Sequence, residues 1–534
     1  MRNLLVANRG EIALRVFRAC RELGIATVAV VAPDDLGSLH ARSADETVEI
    51  RSYLEAAEHV RAARDAGADA IHPGYGFLAE NAEFAEVVEA AGIVWVGPSP
   101  AALRAAGDKL VSKRVARKAG VPAVPEGVPD EVGFPLVVKA AAGGGGRGMR
   151  VVREPAELED ALAAARREAE AAFGDGAVFC ERYLERPRHV EVQLLGDSNG
   201  DVVVLGERDC SIQRRHQKVL EEAPAAQLDA VTRTAMFAAA EAFAAAIGYR
   251  SAGTAEFMLD GRDFFFLELN GRIQVEHPVT EAVTGRDLVR EQLLIARGEP
   301  VAAAPDPKGH AVEARLYAED PQTFLPQAGR IERLRLPESI RVDAGVEEGD
   351  EVGLAYDPMI AKLVAHGSSR EDALERLREA LAETEVEGVT TNLPFLRWLV
   401  AHPVVRVGGA TTAFLAEHPP LSRPPARVAS APWRASFRLN LSSPPPAPAP
   451  DVDAAAHDHA AHGDSALTAP MPGTVIRLLV GAGDRVQPRQ PLVVLEAMKM
   501  ETPVVSPYEA VVRAVHVAEG DRVAGGTILV ELED

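Results

Sequence analysis

The stretch from residue 421 to residue 465 constrains the fold most. It runs through Pro424-Pro425, then Ser442-Ser-Pro-Pro-Pro-Ala-Pro-Ala-Pro450, then an Ala-rich acidic tract with His457, His459 and His462. Proline removes backbone donors and fixes φ, and the rest offers no periodic apolar face, so this stretch builds no core and reads as a linker. The chain therefore folds as separate bodies on either side. A flexible coil of this length reaches roughly 37 Å, and an extended polyproline form up to about 140 Å, so the tethered body can visit more than one site. The three histidines lack fixed neighbours and are assigned no function.

Beyond the linker the chain repeats itself. Gly483-Asp-Arg-Val486 returns as Gly520-Asp-Arg-Val523, each between β-rich runs, which predicts a quasi-symmetric flattened β-barrel. Between the halves lies Val494-Leu-Glu-Ala-Met-Lys-Met-Glu-Thr-Pro503, so Lys499 falls at the turn that joins them. A lysine on a strand edge is ordinarily a guard against aggregation. At a hairpin tip between two methionines it instead offers one exposed amine to another enzyme. Glu496-Ala-Met-Lys-Met resembles the biotin attachment motif of biotin carboxyl carrier domains, which implies biotin in amide linkage to Lys499.

Before the linker, Leu4 to Ala7, a helix around Glu11 to Glu22 and Thr27 to Val31 form a strand, helix, strand unit. The pattern repeats to Val94-Trp-Val96 and argues for an open α/β sheet. A compact segment from about Gly133 to Leu184 reads as a small domain. The region from Glu185 to Leu415 mixes strands such as Phe264 to Leu267 with helices such as Glu371 to Glu383, where Leu374, Leu377 and Leu381 keep helical spacing. The net charge of −22 argues against a nucleic-acid or anionic-membrane binder. Cys20, Cys180 and Cys210 are too sparse for a disulfide framework and fit a reducing compartment. No apolar run is long enough for a membrane span, and the N-terminal one is too short for a signal peptide.

Four segments carry chemistry. Ala142-Gly-Gly-Gly-Gly-Arg-Gly-Met149 follows a strand ending at Lys139, and such a loop closes backbone amides on phosphates. Lys139 and Lys109 supply cations. In Glu268-Leu-Asn270-Gly-Arg272-Ile-Gln274-Val-Glu276 the polar residues take every second position, and a strand would set all five on one face. Glu268, Asn270 and Glu256 suit a hard ion such as Mg2+. Arg272 offers an anion clamp and Glu276 a base. Gln213-Arg-Arg-His216-Gln-Lys218 concentrates cations, and His72-Pro-Gly-Tyr75-Gly76-Phe reads as a tight turn.

Together these segments resemble the biotin carboxylase family of ATP-grasp enzymes over nearly all of residues 1 to 415. The fold implied is an N-terminal α/β domain with its connector (1–111), an ATP-grasp lid (112–184), a larger α+β core with the C-terminal carboxylase domain (185–420), the linker (421–465) and an all-β biotinyl domain (466–534). The resemblance implies that Lys109, Lys139, Gly144, Gly145, Gly146 and Met149 hold ATP phosphates, with Glu181, Leu184, His189, Gln213 and His216 around adenine and ribose. It implies Mg2+ or Mn2+ on Glu256, Glu268 and Asn270. It implies a bicarbonate pocket of Arg272, Gln274 and Val275 with Glu276 as base, Lys218 and Arg315 stabilising the reacting anions, and Tyr75 and Gly76 facing biotin.

The activity implied is ATP- and bicarbonate-dependent carboxylation of the chain's own biotin, which then serves a separate carboxyltransferase subunit of an acetyl- or propionyl-CoA carboxylase. Other readings are service to an acceptor such as pyruvate, an ATP-grasp ligase that passes an acyl phosphate to an amine, and a carrier or assembly protein with an inactive body. A biotin protein ligase, a homodimer through the catalytic body and a cytoplasmic location are expected from the same resemblance. Two departures stand out: Ala142 replaces a loop glycine, and Trp433 to Leu441 resembles the start of a carboxyltransferase docking domain that residues 441 to 465 are too few to complete.

Overall fold

The computed structural model describes residues 1–140, 150–173, 176–214, 217–422, 466–469, 473–487, 490–497, 500–523 and 527–533. The chain divides into two units, Met1–Val352 with Pro358–Ser422, and Arg423–Asp534 with Gly353–Asp357.

In the first unit the N-terminal repeat forms a five-stranded parallel sheet in the order Glu46–Glu49, Ala26–Val31, Asn3–Val6, Ala70–His72, Val94–Trp95. The apolar runs are continuous because helices cover such a sheet. Helix Gly10–Glu22 turns Ile12, Ala13, Val16 and Phe17 into its core. Next comes a small antiparallel sheet in the order Glu126–Gly127, Val178–Arg182, Leu136–Ala140, Arg150–Val152, packed on helix Leu158–Phe173 through Leu136, Val138, Val152 and Ala165.

The frame of the site is an eight-stranded antiparallel sheet. Its order is Asp263–Asn270, Ser251–Asp260, Arg188–Gly196, Val202–Arg214, Gln217–Ala223, His310–Tyr317, Met359–Gly367, Arg341–Ala344. Helix Arg370–Glu383 covers one end. Ser369 accepts from the Asp372 amide at 3.2 Å as its N-cap, and Leu374, Leu377 and Leu381 are fully buried, each contributing about 2 kcal/mol.

The polar ladder of residues 268 to 276 departs from expectation. Strand Asp263–Asn270 stops before Gly271, so only Glu268 and Asn270 share a strand face. The Gly271 amide goes to Glu80 Oε1 at 3.1 Å rather than to a neighbouring strand. The chain then turns to make Glu276 the N-cap of helix His277–Thr284, which carries Pro278 in its first turn. Arg272 and Gln274 therefore lie in a connection, outside any ladder.

The second unit holds two four-stranded antiparallel sheets, Ala466–Thr468, Ile528–Glu533, Ala510–Val515, Arg485–Val486 and Met500–Val505, Pro491–Ala497, Gly473–Leu478, Arg522–Val523. The repeated motif supplies one edge strand to each sheet, and its two glycines share φ of 95° and 94°. Ala497 pairs with Met500. Lys499, between them, lies outside the described residues, as does the Trp433 to Leu441 segment.

Candidate active site

Strand Arg188–Gly196 carries His189, Glu191 and Gln193 on alternate positions, all buried in the centre of the large sheet. Glu191 here, and Glu256 and Glu276 buried beside it, would each cost several kcal/mol in isolation, so cations must accompany them. Lys218, from the adjoining hairpin, meets that need. Its Nζ lies 2.5 Å from Glu191 Oε2, 2.8 Å from Glu256 Oε1, 2.6 Å from Glu276 Oε1 and 3.2 Å from Gln274 Oε1. Arg208, fully buried, takes the other Glu191 oxygen at 2.5 Å and bonds Gln193, Thr254 and Thr280. Arg315 Nη2 lies 2.9 Å from Glu276 Oε2 and 2.5 Å from Glu221 Oε1.

The charges settle one another. Burial alone would push the Lys218 ammonium down, but Glu191, Glu256 and Glu276 hold it well above its usual range. Burial would raise Glu276; Lys218 and Arg315 outweigh it and keep this carboxyl below the ordinary range. Glu256 is held down by Lys218 and His189 against its own burial.

A second group forms beside this hub. His189 Nε2 lies 3.0 Å from Glu256 Oε2, and its Nδ1 is 2.6 Å from Gln213 Nε2. Glu256 stands opposite Glu268 in register. Asn270 Oδ1 accepts from Arg272 Nη2 at 3.0 Å, Arg272 Nε lies 3.0 Å from Glu80, and the buried Asn270 Nδ2 has no hydrogen-bond partner among the described residues. Glu256, Glu268 and Asn270 offer oxygen donors, the chemistry a hard divalent ion requires.

The remaining expected residues lie further out. Glu181, buried, pairs with both Lys139 and Lys113, so Lys139 is engaged by a carboxylate in this structure. Leu184 is half-buried. Tyr75 donates to Glu11 Oε2 at 2.6 Å, and the Asn8 amide holds the Pro73 and Tyr75 carbonyls at 2.8 and 2.7 Å. Gly76 has φ of 67°. Val275 is half-buried, and its carbonyl accepts from Lys362 Nζ at 3.0 Å. Lys109 begins helix Lys109–Lys118, with its side chain outside the described ones. Gly144, Gly145, Gly146, Met149 and His216 lie outside the described residues.

Sequence reasoning missed Glu191, Arg208, Glu221 and Glu313. The alternation His189, Glu191, Gln193 within an apolar strand was a usable signal, since buried polar residues at period two mark one functional face. Glu313, opposite Glu221 in register, is fully buried, and its carboxylate makes no hydrogen bond among the described residues.

A buried cluster of carboxylates and cations on an eight-stranded antiparallel sheet stands in one unit of the chain, and two four-stranded β-sheets stand in the other. Family models match in the same order: "Biotin carboxylase, N-terminal domain" over residues 1–103, "Carbamoyl-phosphate synthase L chain, ATP binding domain" over 112–304, "Biotin carboxylase C-terminal domain" over 313–417 and "Biotin-requiring enzyme" over 465–532. The biotin-dependent acyl-coenzyme A carboxylase alpha3 subunit of Mycobacterium leprae is 41% identical over 99% of this chain and 98% of its own. The propionyl-CoA carboxylase alpha chain of Ruegeria pomeroyi is 46% identical over 78% of this chain and 68% of its own. A crystal structure of a biotin carboxylase–β-γ-ATP complex from Campylobacter jejuni aligns with a TM-score of 0.75 at 41% identity, covering 78% of this chain and 99% of that one. The chain belongs to the biotin carboxylase family, in the form that carries its biotinyl domain on the same polypeptide. It is an ATP-dependent ligase that carboxylates biotin.

Proposed function

We propose that the Lys218, Glu276, Arg315 cluster is the centre at which bicarbonate is activated and its carbon passed to biotin. The observation that carries this is Glu276 held between two cations, Lys218 Nζ at 2.6 Å and Arg315 Nη2 at 2.9 Å. Between Lys218 and Arg315 this carboxylate is a weak base. Bicarbonate competes for Lys218 and Arg315, and as they turn to it Glu276 regains basicity and takes its proton. The bicarbonate oxygen attacks the γ-phosphate of ATP, giving carboxyphosphate and ADP. Carboxyphosphate breaks down to CO2 and phosphate, phosphate removes the N1′ proton of biotin, and Arg315 holds the charge on the ureido oxygen while the C–N bond forms.

Arg272, Gln274 and Val275 would line the bicarbonate pocket, and Tyr75 and Gly76 the biotin side. Lys109, Lys139, Gly144, Gly145, Gly146 and Met149 would hold the phosphates, and Glu181, Leu184, His189, Gln213 and His216 the nucleoside. Mg2+ or Mn2+ on Glu256, Glu268 and Asn270 would offset the phosphate charge; their oxygen donors fit it. Biotin would be attached at Lys499 by a biotin protein ligase. The domain limits 1–111, 112–184, 185–420, 421–465 and 466–534 go with this reading.

The acceptor is an acyl-CoA, acetyl- or propionyl-CoA, presented by a separate carboxyltransferase subunit; the acyl-CoA carboxylase subunits among the relatives support this class. A cytoplasmic location and a homodimer through the catalytic body belong to the same reading. Among the described residues no helix is long and apolar enough to cross a membrane. The test is bicarbonate-dependent ADP release with free biotin. Glu276→Gln and Arg315→Ala should each lower it by at least about a hundredfold, and near-normal rates in both would overturn the assignment.

A further inference from the structure

Lys362 is completely buried on strand Met359–Gly367, where an ammonium is tolerated only with partners. Its Nζ lies 2.5 Å from Glu11 Oε1, donates to the Val275 carbonyl at 3.0 Å and lies 3.9 Å from Asp343 Oδ2. Glu11, 1% exposed at its side chain, uses its other oxygen to accept from the Tyr75 hydroxyl at 2.6 Å. An unbroken polar chain thus runs from the Tyr75 turn through Glu11 and Lys362 to the backbone one residue before Glu276. Lys362 also stands opposite Arg315 in register, so the same strand pair carries the relay and the Arg315 guanidinium. The chain links four elements distant in sequence: the start of helix Gly10–Glu22, the turn at Tyr75, the connection before helix His277–Thr284 and strand Met359–Gly367.

We propose that Glu11 and Lys362 are positioning residues that lock the Tyr75 turn to the Val275 carbonyl, setting the distance between the biotin side and the bicarbonate side of the centre. The inference rests on the proposed roles of Tyr75 and Val275. Cleavage of ATP needs only the bicarbonate side, whereas carboxyl transfer needs both sides in register. A misplacement of about 1 Å in such a transfer costs up to about a hundredfold.

The experiment compares Lys362→Met, Lys362→Arg, Glu11→Gln and Tyr75→Phe in the full-length protein, measuring ADP released, biotin carboxylated and the KM values for ATP and free biotin. Lys362→Met should lower kcat/KM for biotin at least about tenfold, leave the KM for ATP unchanged and release several ADP per biotin carboxylated. Lys362→Arg should restore most of the coupling. Tyr75→Phe combined with Lys362→Met should cost no more than about twofold beyond the worse single variant, because both break one chain. If Lys362→Met does not fold, Glu11→Gln, which keeps the volume and an acceptor for Tyr75 but loses the charge, should show the same uncoupling in milder form. Equal losses in ATP cleavage and biotin carboxylation, or additive effects in the double variant, overturn the inference while leaving the function intact. No bicarbonate-dependent turnover in the wild-type protein overturns the underlying function instead.

Discussion

Glu221 and Glu313 face one another behind Arg315, and both lie in full burial. Burial raises the Glu221 carboxyl to about 7, with Arg315 pulling down and Glu276 pushing up. Burial also holds Glu313 well above the carboxylate range, only partly offset by Lys362. For Glu221, raised from an ordinary value of about 4.3, the folded chain binds the extra proton. The stabilisation it brings is complete below that value and is lost as pH rises through about 7. Glu221→Gln stays neutral throughout, so the wild-type melting temperature should fall relative to this variant between pH 5 and pH 8 on the order of a few degrees; parallel curves would refute the shift. Glu256, Glu276 and Asp343 carry the opposite sign, since cations hold all three below the ordinary range against their burial. Their stabilisation is present above about pH 4 and lost as pH falls further, so thermal unfolding should sharpen its acid dependence below that point. Glu256, Glu276 and Lys218, which the structure brings together, each stood in a run the sequence displays, whereas Arg315 came only from the family resemblance. Glu221 and Glu313 were not legible there, because a carboxyl's worth here comes from a cross-strand neighbour ninety residues away, which no local pattern encodes.

Elements place these residues more strictly than their own chemistry does. The turn before Tyr75 depends on Gly74, with φ of 64° and an absent Cβ that would fall 2.7 Å from Asn8 Nδ2. Gly74→Ala should therefore cost about 1 to 3 kcal/mol and weaken use of biotin more than use of ATP; urea unfolding and the two KM values check this. Helix Gly10–Glu22 is tied to helix His277–Thr284 by Arg15, whose Nη2 lies 2.8 Å from Glu281 and 2.6 Å from Asp287. Arg15→Leu should cost about 3 kcal/mol in denaturant unfolding, because it leaves buried carboxylates short of a cation. The parallel sheet, helix Arg370–Glu383 and the repeated barrel were readable from periodicity and repetition. The strand end at Asn270 was not: period two continued to Glu276, but Glu80 takes the Gly271 amide and a helix needs its cap at Glu276. Tertiary bonding and capping overrode a pattern that local reasoning extended too far.

On the scale of the whole molecule, the segments matching the biotin carboxylase models and the segment matching the biotin-requiring one fall into different units, with Gly353–Asp357 grouped with the latter. The proposed function asks biotin on Lys499 to reach the carboxylase body and then a carboxyltransferase partner. Lys499→Ala should abolish avidin binding while leaving carboxylation of free biotin near wild type, because the body and the carrier are separate units. The two functions can be separated further by charging the protein with MgATP and radiolabelled bicarbonate and counting acid-labile label on the chain. Wild-type protein that binds avidin should take up label, whereas Lys499→Ala and Glu276→Gln should take up none. Label on Lys499→Ala, or none on avidin-positive wild type, would contradict carboxylation of the chain's own biotin.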